Sequence, residues 1–271
     1  MDKCLICGND KFARYAGGVY GKDISVCGKC GLVFTDPQPE PVELLKRYGE
    51  GYYAHWISDR QRKAREKLWE RRVKVVRKIR GSGKLLDVGC GEGLFLHTAQ
   101  KHGYEVSGIE ISEYAAKYAR DKFGLEVRNT SLLESGFADN TFDIITLWHV
   151  LEHLPSPGKE LEKARRLLKP GGCLIAAVPN VDDLLGQAFY KALKGKYFEI
   201  YSTDSKEPHL YHFSTTTLRR LLENSGFEIR KITADFAQVD PYMRIVEYVS
   251  YFAAKLVRRD IYLAILAVGR K

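Results

Sequence analysis

Lys84-Leu-Leu-Asp-Val-Gly-Cys-Gly-Glu-Gly-Leu-Phe95 is the stretch that decides the fold of this 271-residue chain. A short apolar run ends on Asp87, and three alternating glycines follow before residues that favour a helix. This pattern predicts a strand, a tight turn that can lie close to a ligand, and a helix whose N-terminus points at the same place. The next apolar run ends on Glu110. A carboxylate there can accept hydrogen bonds from both ribose hydroxyls of a nucleoside.

The glycine spacing argues against a pyrophosphate-binding loop. Gly89, Gly91 and Gly93 alternate, and Leu94 stands where a dinucleotide-binding fold has its third glycine. Asp87 at the start of the loop would repel a diphosphate but attract a cation. S-adenosylmethionine (SAM) carries a sulfonium and an ammonium and no phosphate, so it suits this loop better than a dinucleotide does.

The sequence here resembles the class I SAM-dependent methyltransferases. Their first motif is similar to residues 87–93 and their second to Ile109-Glu110, and the likeness continues through residues 142–155 and 168–172. It covers residues 80–180 strongly. The resemblance implies SAM as cofactor and a Rossmann-like α/β fold, in which a parallel sheet with a final antiparallel strand carries helices on both faces.

The same resemblance implies where the cofactor lies. The methionine end of SAM is expected against the glycine loop and the ribose against Glu110. Many relatives have an Asp in the adenine region, where this chain has Asn129-Thr-Ser-Leu132, so a side-chain oxygen or the Leu132 amide is expected to substitute. The predicted cofactor-binding residues are Asp87, Gly89, Cys90, Gly91, Gly93, Glu110, Ile111, Ser131, Leu132 and Trp148.

His149 is the predicted catalytic residue. It follows the fourth strand of the predicted sheet, so its side chain is expected to face the methyl group, and an imidazole titrates near neutral pH. We interpret it as a general base. The alternative is that His149 only lines the pocket or hydrogen-bonds the methionine moiety.

A second metal site is a further alternative. Glu152, His153 and His212 resemble in part the metal ligands of the small-RNA 2′-O-methyltransferases, which have Glu where this chain has His149. That resemblance implies a cation beside the acceptor.

Four of the six cysteines form two pairs near the start of the chain. Each pair has two residues between its cysteines and a glycine after it, and nineteen residues separate the pairs. This is the spacing of a four-cysteine zinc site, with disulfides or an iron centre as the alternatives. We expect a structural zinc ribbon, and the sequence leaves open whether it also holds substrate. The predicted zinc ligands are Cys4, Cys7, Cys27 and Cys30.

The net charge of +9 is concentrated in one segment. Residues 60–84 contain twelve Lys and Arg against two Glu. Apolar residues recur there at helical spacing, which predicts an amphipathic helix with a basic outer face. A solvated helix is the plain interpretation. The alternatives are a grip on an anionic substrate, such as nucleic acid, a nucleotide-sugar or a phosphorylated lipid, or contact with an acidic membrane surface.

The chain divides into three predicted parts. Residues 1–35 form the ribbon, residues 36–80 a linker and the basic helical segment, and residues 81–271 the methyltransferase domain. Breaks in the strand–helix alternation predict lid insertions at about 181–213 and 237–258. The N-terminus lacks a signal-peptide core and no apolar run reaches membrane-spanning length, so we expect a cytoplasmic protein.

The leading hypothesis is a SAM-dependent methyltransferase that acts on oxygen or carbon of a small-molecule or glycan acceptor. The ribbon, the 149–153 segment and the stretch that begins at His212 resemble enzymes of polysaccharide, nucleotide-sugar and natural-product pathways. One alternative is an RNA base or ribose methyltransferase that uses the basic helix. Another is a non-catalytic, zinc-dependent binding protein. The sequence leaves the acceptor and the oligomeric state open.

Overall fold

A computed structural model describes residues 1–15, 24–40, 43, 44, 46, 48, 53, 62–195 and 209–271. The predicted linker and basic helical segment at 36–80 lies only partly within these residues, as does the predicted lid insertion at 181–213. Glu43, Leu44 and Lys46 are helical.

The N-terminal residues form three short antiparallel strands. These are β1 (Phe12–Arg14), β2 (Ile24–Cys27) and β3 (Val33–Thr35). β2 pairs with both of the others. Buried Leu32 and Phe34 belong to the same hydrophobic core as the strands of the larger sheet. The predicted ribbon therefore packs directly on the rest of the protein.

Helices and strands alternate after the ribbon in nearly the predicted places. Central strands such as Phe142–Trp148 are buried along their whole length, which explains their continuous apolar sequence. In chain order the elements are α1 (Arg62–Ile79), β4 (Lys84–Val88), α2 (Leu94–Lys101), β5 (Glu105–Ile109), α3 (Glu113–Phe123), β6 (Val127–Arg128), β7 (Phe142–Trp148), α4 (Pro157–Leu167), β8 (Leu168–Pro179), α5 (Leu184–Lys194), β9 (Tyr211–His212), α6 (Thr215–Asn224), β10 (Glu228–Ala234), α7 (Pro241–Val257) and β11 (Ala264–Arg270).

The larger sheet has seven strands in the order β10-β11-β8-β7-β4-β5-β6. Strands β4 to β8 run parallel to one another, and β11 runs antiparallel between β8 and β10. The predicted Rossmann-like α/β fold is confirmed. Helix α7 ends where Arg258 takes a left-handed conformation, and the last strand begins at Ala264.

One strand from the part of the chain after the ribbon completes the ribbon sheet. β9 pairs with β3, placing His212 opposite Val33 and Tyr211 opposite Phe34. Asn224 of α6 also donates a hydrogen bond to the carbonyl of Ile6 at 2.7 Å. Residues 209–213 thus lie between the ribbon and the main sheet.

The basic helix α1 differs from the prediction of a purely outward basic face. Arg65 and Arg72 are buried, and each pairs with a carboxylate. Their long side chains point inward because they form ion pairs there with the carboxylates of Glu92 and Asp235. Within the described residues, none of the helices combines the length and hydrophobicity needed to cross a bilayer.

Candidate active site

A cavity of about 1040 Å³ lies beyond the carboxyl ends of β4, β5 and β7. This is where ligands bind in open α/β sheets. Residues of both predicted lid insertions line it, including Gln187 and Met243. His149 lines it too, together with nine of the ten predicted cofactor-binding residues: Asp87, Gly89, Cys90, Gly91, Glu110, Ile111, Ser131, Leu132 and Trp148.

Gly93 is the predicted residue that the cavity lining does not include. It precedes α2 with a φ of 78°, and a Cβ there would lie 2.8 Å from the Cβ of Ala119 and from Cδ1 of Leu125. A side chain at this position would collide with the neighbouring helix α3. The third glycine of the loop therefore serves the packing of α2 on α3.

Glu110 is held by three donors. Its Oε2 accepts a hydrogen bond from the amide of Gly91 at 2.8 Å, and its Oε1 accepts from the amide of Ser112 at 2.9 Å. The hydroxyl of Tyr53 donates to Oε1 at 3.1 Å. Burial raises the pKa of Glu110, and these donors oppose that rise. The carboxylate is thus fixed at the tip of β5, as the sequence predicts.

Asp87 is a second buried carboxyl group in the same cavity. Thr146 of β7 donates a hydrogen bond to its Oδ1 at 2.6 Å. Burial raises the pKa of Asp87 to about 8, although the Thr146 hydroxyl works against this. A cation bound beside Asp87 would favour its ionised form.

Asn129, in the predicted adenine region, makes local hydrogen bonds through its side chain. Its side-chain amide donates to the carbonyls of Glu110 and Ile111, both at 2.9 Å. It therefore braces the chain around Glu110. Ser131 is also engaged locally, because its hydroxyl accepts a hydrogen bond from the Glu134 amide at 3.3 Å. Leu132 is buried against the cavity.

His149 takes part in a charged cluster. Its φ of 56° lies in the left-handed region, which is rare for a residue with a side chain and occurs often at functional sites. Nε2 lies 3.3 Å from Oδ2 of Asp235, and Nδ1 lies 3.6 Å from Oε1 of Glu152. Arg72 donates to the same Asp235 oxygen at 2.6 Å. Its guanidinium lies 4.4 Å from the ring centre of Trp148.

The cluster sets unusual pKa values. Burial alone would lower the pKa of His149, but the hydrogen bond with Asp235 and the nearby Glu152 raise it to about 9. Burial would raise the pKa of Asp235, but Arg72 and His149 hold it at about 2. With that pKa, His149 is protonated at neutral pH.

Glu152, His153 and His209 bring their ligand atoms within 4.8 Å of one another. Within the described residues neither carboxylate oxygen of buried Glu152 accepts a hydrogen bond. This set suits a divalent cation. His209 is thus the third member of this set, where the sequence predicted His212. Nε2 of His212 instead lies 3.4 Å from the Thr35 hydroxyl. Glu152 also lies beside His149, with its Oε1 3.6 Å from Nδ1 of that residue.

The ribbon positions this side of the cavity. Thr35 of β3 donates a hydrogen bond to the carbonyl of His209 at 2.6 Å. The next residue, Leu210, donates its amide to the carbonyl of Glu152 at 2.8 Å. Ribbon strand, His209 and Glu152 are therefore linked in one hydrogen-bonded chain.

The four ribbon cysteines lie together, with all their sulfurs within 4.8 Å of one another. The Cys4–Cys30 and Cys7–Cys27 sulfur pairs are each 3.5 Å apart. Four thiolates around one tetrahedral zinc stand roughly 3.8 Å apart at a Zn–S distance of about 2.3 Å. The arrangement fits such an ion, and the amides of Lys29 and Cys30 help to lower the pKa of Cys27 despite its burial.

Asp235, His209 and Tyr53 are the site residues that sequence reasoning missed. Asp235 stands at the end of β10, and the carboxyl end of a strand was the one signal that could have indicated it. His209 was near the correctly suspected His212. Tyr53 precedes the strand–helix pattern and carries no comparable signal.

A family model described as a methyltransferase domain matches residues 53–232. The chain is 26% identical over 174 residues to the ubiquinone biosynthesis O-methyltransferase of Pasteurella multocida, covering 56% of this chain and 72% of that protein. It is 36% identical over 103 residues to the protein of that name in Alkalilimnicola ehrlichii, covering 36% of this chain and 42% of that protein. The match thus spans less than half of the second relative.

Solved structures show the same fold. A SAM-dependent methyltransferase of Thermotoga maritima superposes with a TM-score of 0.56 at 20% identity, covering 84% of this chain and 99% of that chain. One from Archaeoglobus fulgidus gives 0.53 at 20% identity, covering 76% and 94%. At such identities the likeness concerns the fold alone.

Proposed function

The chain belongs to the methyltransferase domain family matched over residues 53–232, and on that premise we propose that this SAM-dependent methyltransferase acts on an oxygen or carbon of a small-molecule or glycan acceptor. The observation that carries the proposal is one cavity that joins Asp87 and Glu110 to the His149–Asp235 pair. The names of the curated relatives, both O-methyltransferases, favour oxygen.

The glycine loop and the two buried carboxylates fit SAM, which supplies a methyl group already activated on a sulfonium. Glu110 is placed to accept hydrogen bonds from the ribose hydroxyls, and Asp87 to attract the positive charge. A Cβ at Gly91 would have only a Tyr53 ring carbon within 4 Å, at 3.6 Å. This open space lets a ligand approach the backbone. The protein thus mainly orients donor and acceptor and excludes water.

His149 is the group we propose for taking the acceptor proton. It lines the cavity at the end of β7 and is aimed by Asp235. Only the neutral imidazole can act as a base, and the pKa of about 9 makes that form a minority at neutral pH. The rate should therefore rise as the pH approaches that value.

The inward arginines favour a small acceptor over RNA. Arg65 and Arg72 pair with Glu92 and Asp235 inside the cavity wall, so neither charge is left for a phosphate backbone. The RNA alternative rests on basic residues of α1 that remain exposed: Lys63, Lys67, Lys74, Arg77 and Lys78.

We propose zinc as the structural ion of the ribbon, with Cys4, Cys7, Cys27 and Cys30 as its ligands. The sulfur distances support this. Elemental analysis should find about one zinc per chain. It should find none after Cys27→Ser with Cys30→Ser. Zinc retained in that variant would contradict the proposed ligand set.

A labelling experiment tests the reaction. The protein is incubated with SAM carrying a tritiated methyl group and, separately, with total RNA, a polysaccharide fraction and a small-molecule extract. Label in the small-molecule or glycan fraction, lost in His149→Gln, is the expected result. Label that is sensitive to ribonuclease, and weakened by charge reversal at Lys67, Lys74 and Arg77, would establish the RNA alternative instead.

A further inference from the structure

Helix α7 exposes its large apolar side chains and buries its small and polar ones. Seven of the ten large hydrophobic residues that are exposed among the described residues lie on it. Phe252 is 65% exposed and Leu256 is 85% exposed. A helix that packs only on its own domain shows the opposite pattern. The exposed apolar face consists of Tyr242, Ile245, Tyr248, Val249, Phe252, Leu256 and Val257.

The inner face explains why the helix keeps this orientation. Glu247 is buried and its Oε1 accepts the amides of Ala237 and Gln238 at 2.7 and 2.9 Å. Ser250 is fully buried and donates to the carbonyl of Glu247. Turning the apolar face inward would break the two hydrogen bonds between Glu247 and the loop and leave the amides of Ala237 and Gln238 without that acceptor. The outward apolar face is therefore built into the fold.

The charges around the apolar face are mostly positive. Between Pro241 and Arg259 the cations are Arg244, Lys255, Arg258 and Arg259, and the carboxylate of Glu247 is buried, while exposed carboxylates stand just beyond the two ends at Asp240 and Asp260. A surface with an aromatic and aliphatic face flanked by cations matches the requirements of a helix that lies in the headgroup region of a bilayer. A second copy of the chain would bring two surfaces of like charge together.

We propose that α7 docks this protein on the surface of an anionic phospholipid bilayer, with its apolar face in the acyl boundary and its cations among the headgroups. The helix is 17 residues long and carries charges along its length, so it suits the plane of the membrane. Asp240 and Met243 at its start also line the cavity. Docking would thus bring the cavity close to the lipid surface.

Sedimentation with vesicles tests the docking without any acceptor. Wild-type protein is mixed with vesicles of phosphatidylcholine containing about one-third phosphatidylglycerol, or of phosphatidylcholine alone. We expect clear binding to the anionic vesicles, weaker binding to neutral ones, and a steep loss at about 0.5 M salt. Phe252→Gln with Leu256→Gln should reduce binding about tenfold or more, because two anchors of the apolar face are removed.

Matched charge variants provide the control. Arg258→Glu with Arg259→Glu should reduce anionic vesicle binding about as strongly, since each cation near the surface contributes. Lys117→Glu with Lys122→Glu changes the same charge on α3, beside the opposite edge of the sheet, and should leave binding nearly unchanged. Circular dichroism and SAM binding verify that each variant is folded.

Three outcomes would overturn the proposal. One is wild-type protein that does not sediment with anionic vesicles. Another is equal vesicle binding by wild type and the Phe252/Leu256 variant. The third is a dimer in analytical ultracentrifugation that the Phe252/Leu256 variant converts to monomer, because a second copy would then be what covers the face. None of these outcomes bears on methyl transfer.

Discussion

Nε2 of His149 lies 3.3 Å from Oδ2 of Asp235, the same oxygen that accepts a hydrogen bond from Arg72 at 2.6 Å. The three residues come from the end of β7, the end of β10 and helix α1. One buried carboxylate thus balances two cations from distant parts of the chain. It also determines how readily His149 releases or takes a proton.

Replacing Asp235 should move the pH dependence of the rate. In Asp235→Asn the amide cannot stabilise the imidazolium, so the pKa of His149 falls from about 9. Since the neutral imidazole is the base, the rising limb of the rate profile should shift toward lower pH, by about one unit or more. Initial rates at saturating SAM and acceptor, measured from pH 6 to about 10, show the shift.

The same variant should be less stable, because Arg72 keeps its charge in a buried place without a partner. Removing one member of a buried ion pair costs about 3 kcal/mol. Thermal unfolding measures this loss. His149→Gln is the control for the pH effect, because any residual rate in that variant should lack the rising limb of the profile. An unchanged limb in Asp235→Asn would mean that Asp235 serves stability alone.

The SAM half of the site could be predicted from sequence because its residues are local. Asp87 and Glu110 each end a strand that can be recognised on its own, and the parallel register of β4 and β5 then brings them together. The His149–Asp235 pair, by contrast, spans 86 residues. Such a pairing depends on strand order, which places β10 beyond β11 and β8. The residues around His149 and Asp235 in the sequence do not indicate that strand order.

His209 and His212 show a finer limit. The sequence analysis singled out His212 and missed His209, because the pairing of β9 with β3 decides which of the two reaches Glu152 and His153. His212 lies in the strand and faces Thr35, whereas His209 precedes it and approaches the cavity. The pairing of β9 with the ribbon strand β3 thus determines which histidine approaches the cavity.

SAM binding should weaken as the pH falls below about 8, the pKa to which burial raises Asp87. A bound cation favours the carboxylate, so binding must expel the proton from Asp87 whenever the pH lies below that value. The affinity should then fall by up to about tenfold per pH unit. Calorimetry at several pH values, in buffers of different ionisation enthalpy, measures both the affinity and the proton released.

Asp87→Asn should bind SAM weakly and lose this part of the pH dependence. Asp121→Asn is the matched control, because Asp121 is an exposed carboxylate on α3 paired with Lys117. It should bind like wild type. A pH dependence that persists unchanged in Asp87→Asn would assign the proton to another group.

Thr35→Val should slow methyl transfer without changing SAM affinity. The hydroxyl of Thr35 holds the carbonyl of His209, on the acceptor side of the cavity, so its loss frees the segment that approaches Glu152. We expect kcat to fall about tenfold, as for a positioning residue. Thr141→Val removes a similar bond of 2.6 Å, to the carbonyl of Ala138, at an exposed turn. That control should keep full activity, and equal losses in both variants would indicate general destabilisation.

Gly93 offers a test of what the third glycine of the loop does. An alanine there meets Ala119 and Leu125 at 2.8 Å, whereas an alanine at Gly103 has open space. Both glycines have positive φ, so both variants bear a conformational cost of about 1–2 kcal/mol. Gly93→Ala should lose a further 1–3 kcal/mol, roughly, through overpacking. Denaturant unfolding of the two variants measures the difference.

SAM affinity then separates packing from cofactor contact. Gly91→Ala should weaken SAM binding about tenfold or more, because Gly91 lines the cavity with a φ of 53°, so a methyl group there would occupy ligand space and strain the loop that holds Glu110. Gly93→Ala should bind SAM within about twofold of wild type under conditions where it is folded. If instead Gly93→Ala were as stable as Gly103→Ala yet bound SAM as weakly as Gly91→Ala, Gly93 would belong to the cofactor site. The collisions with Ala119 of α3 and with Leu125 would then be relieved by small shifts of both residues.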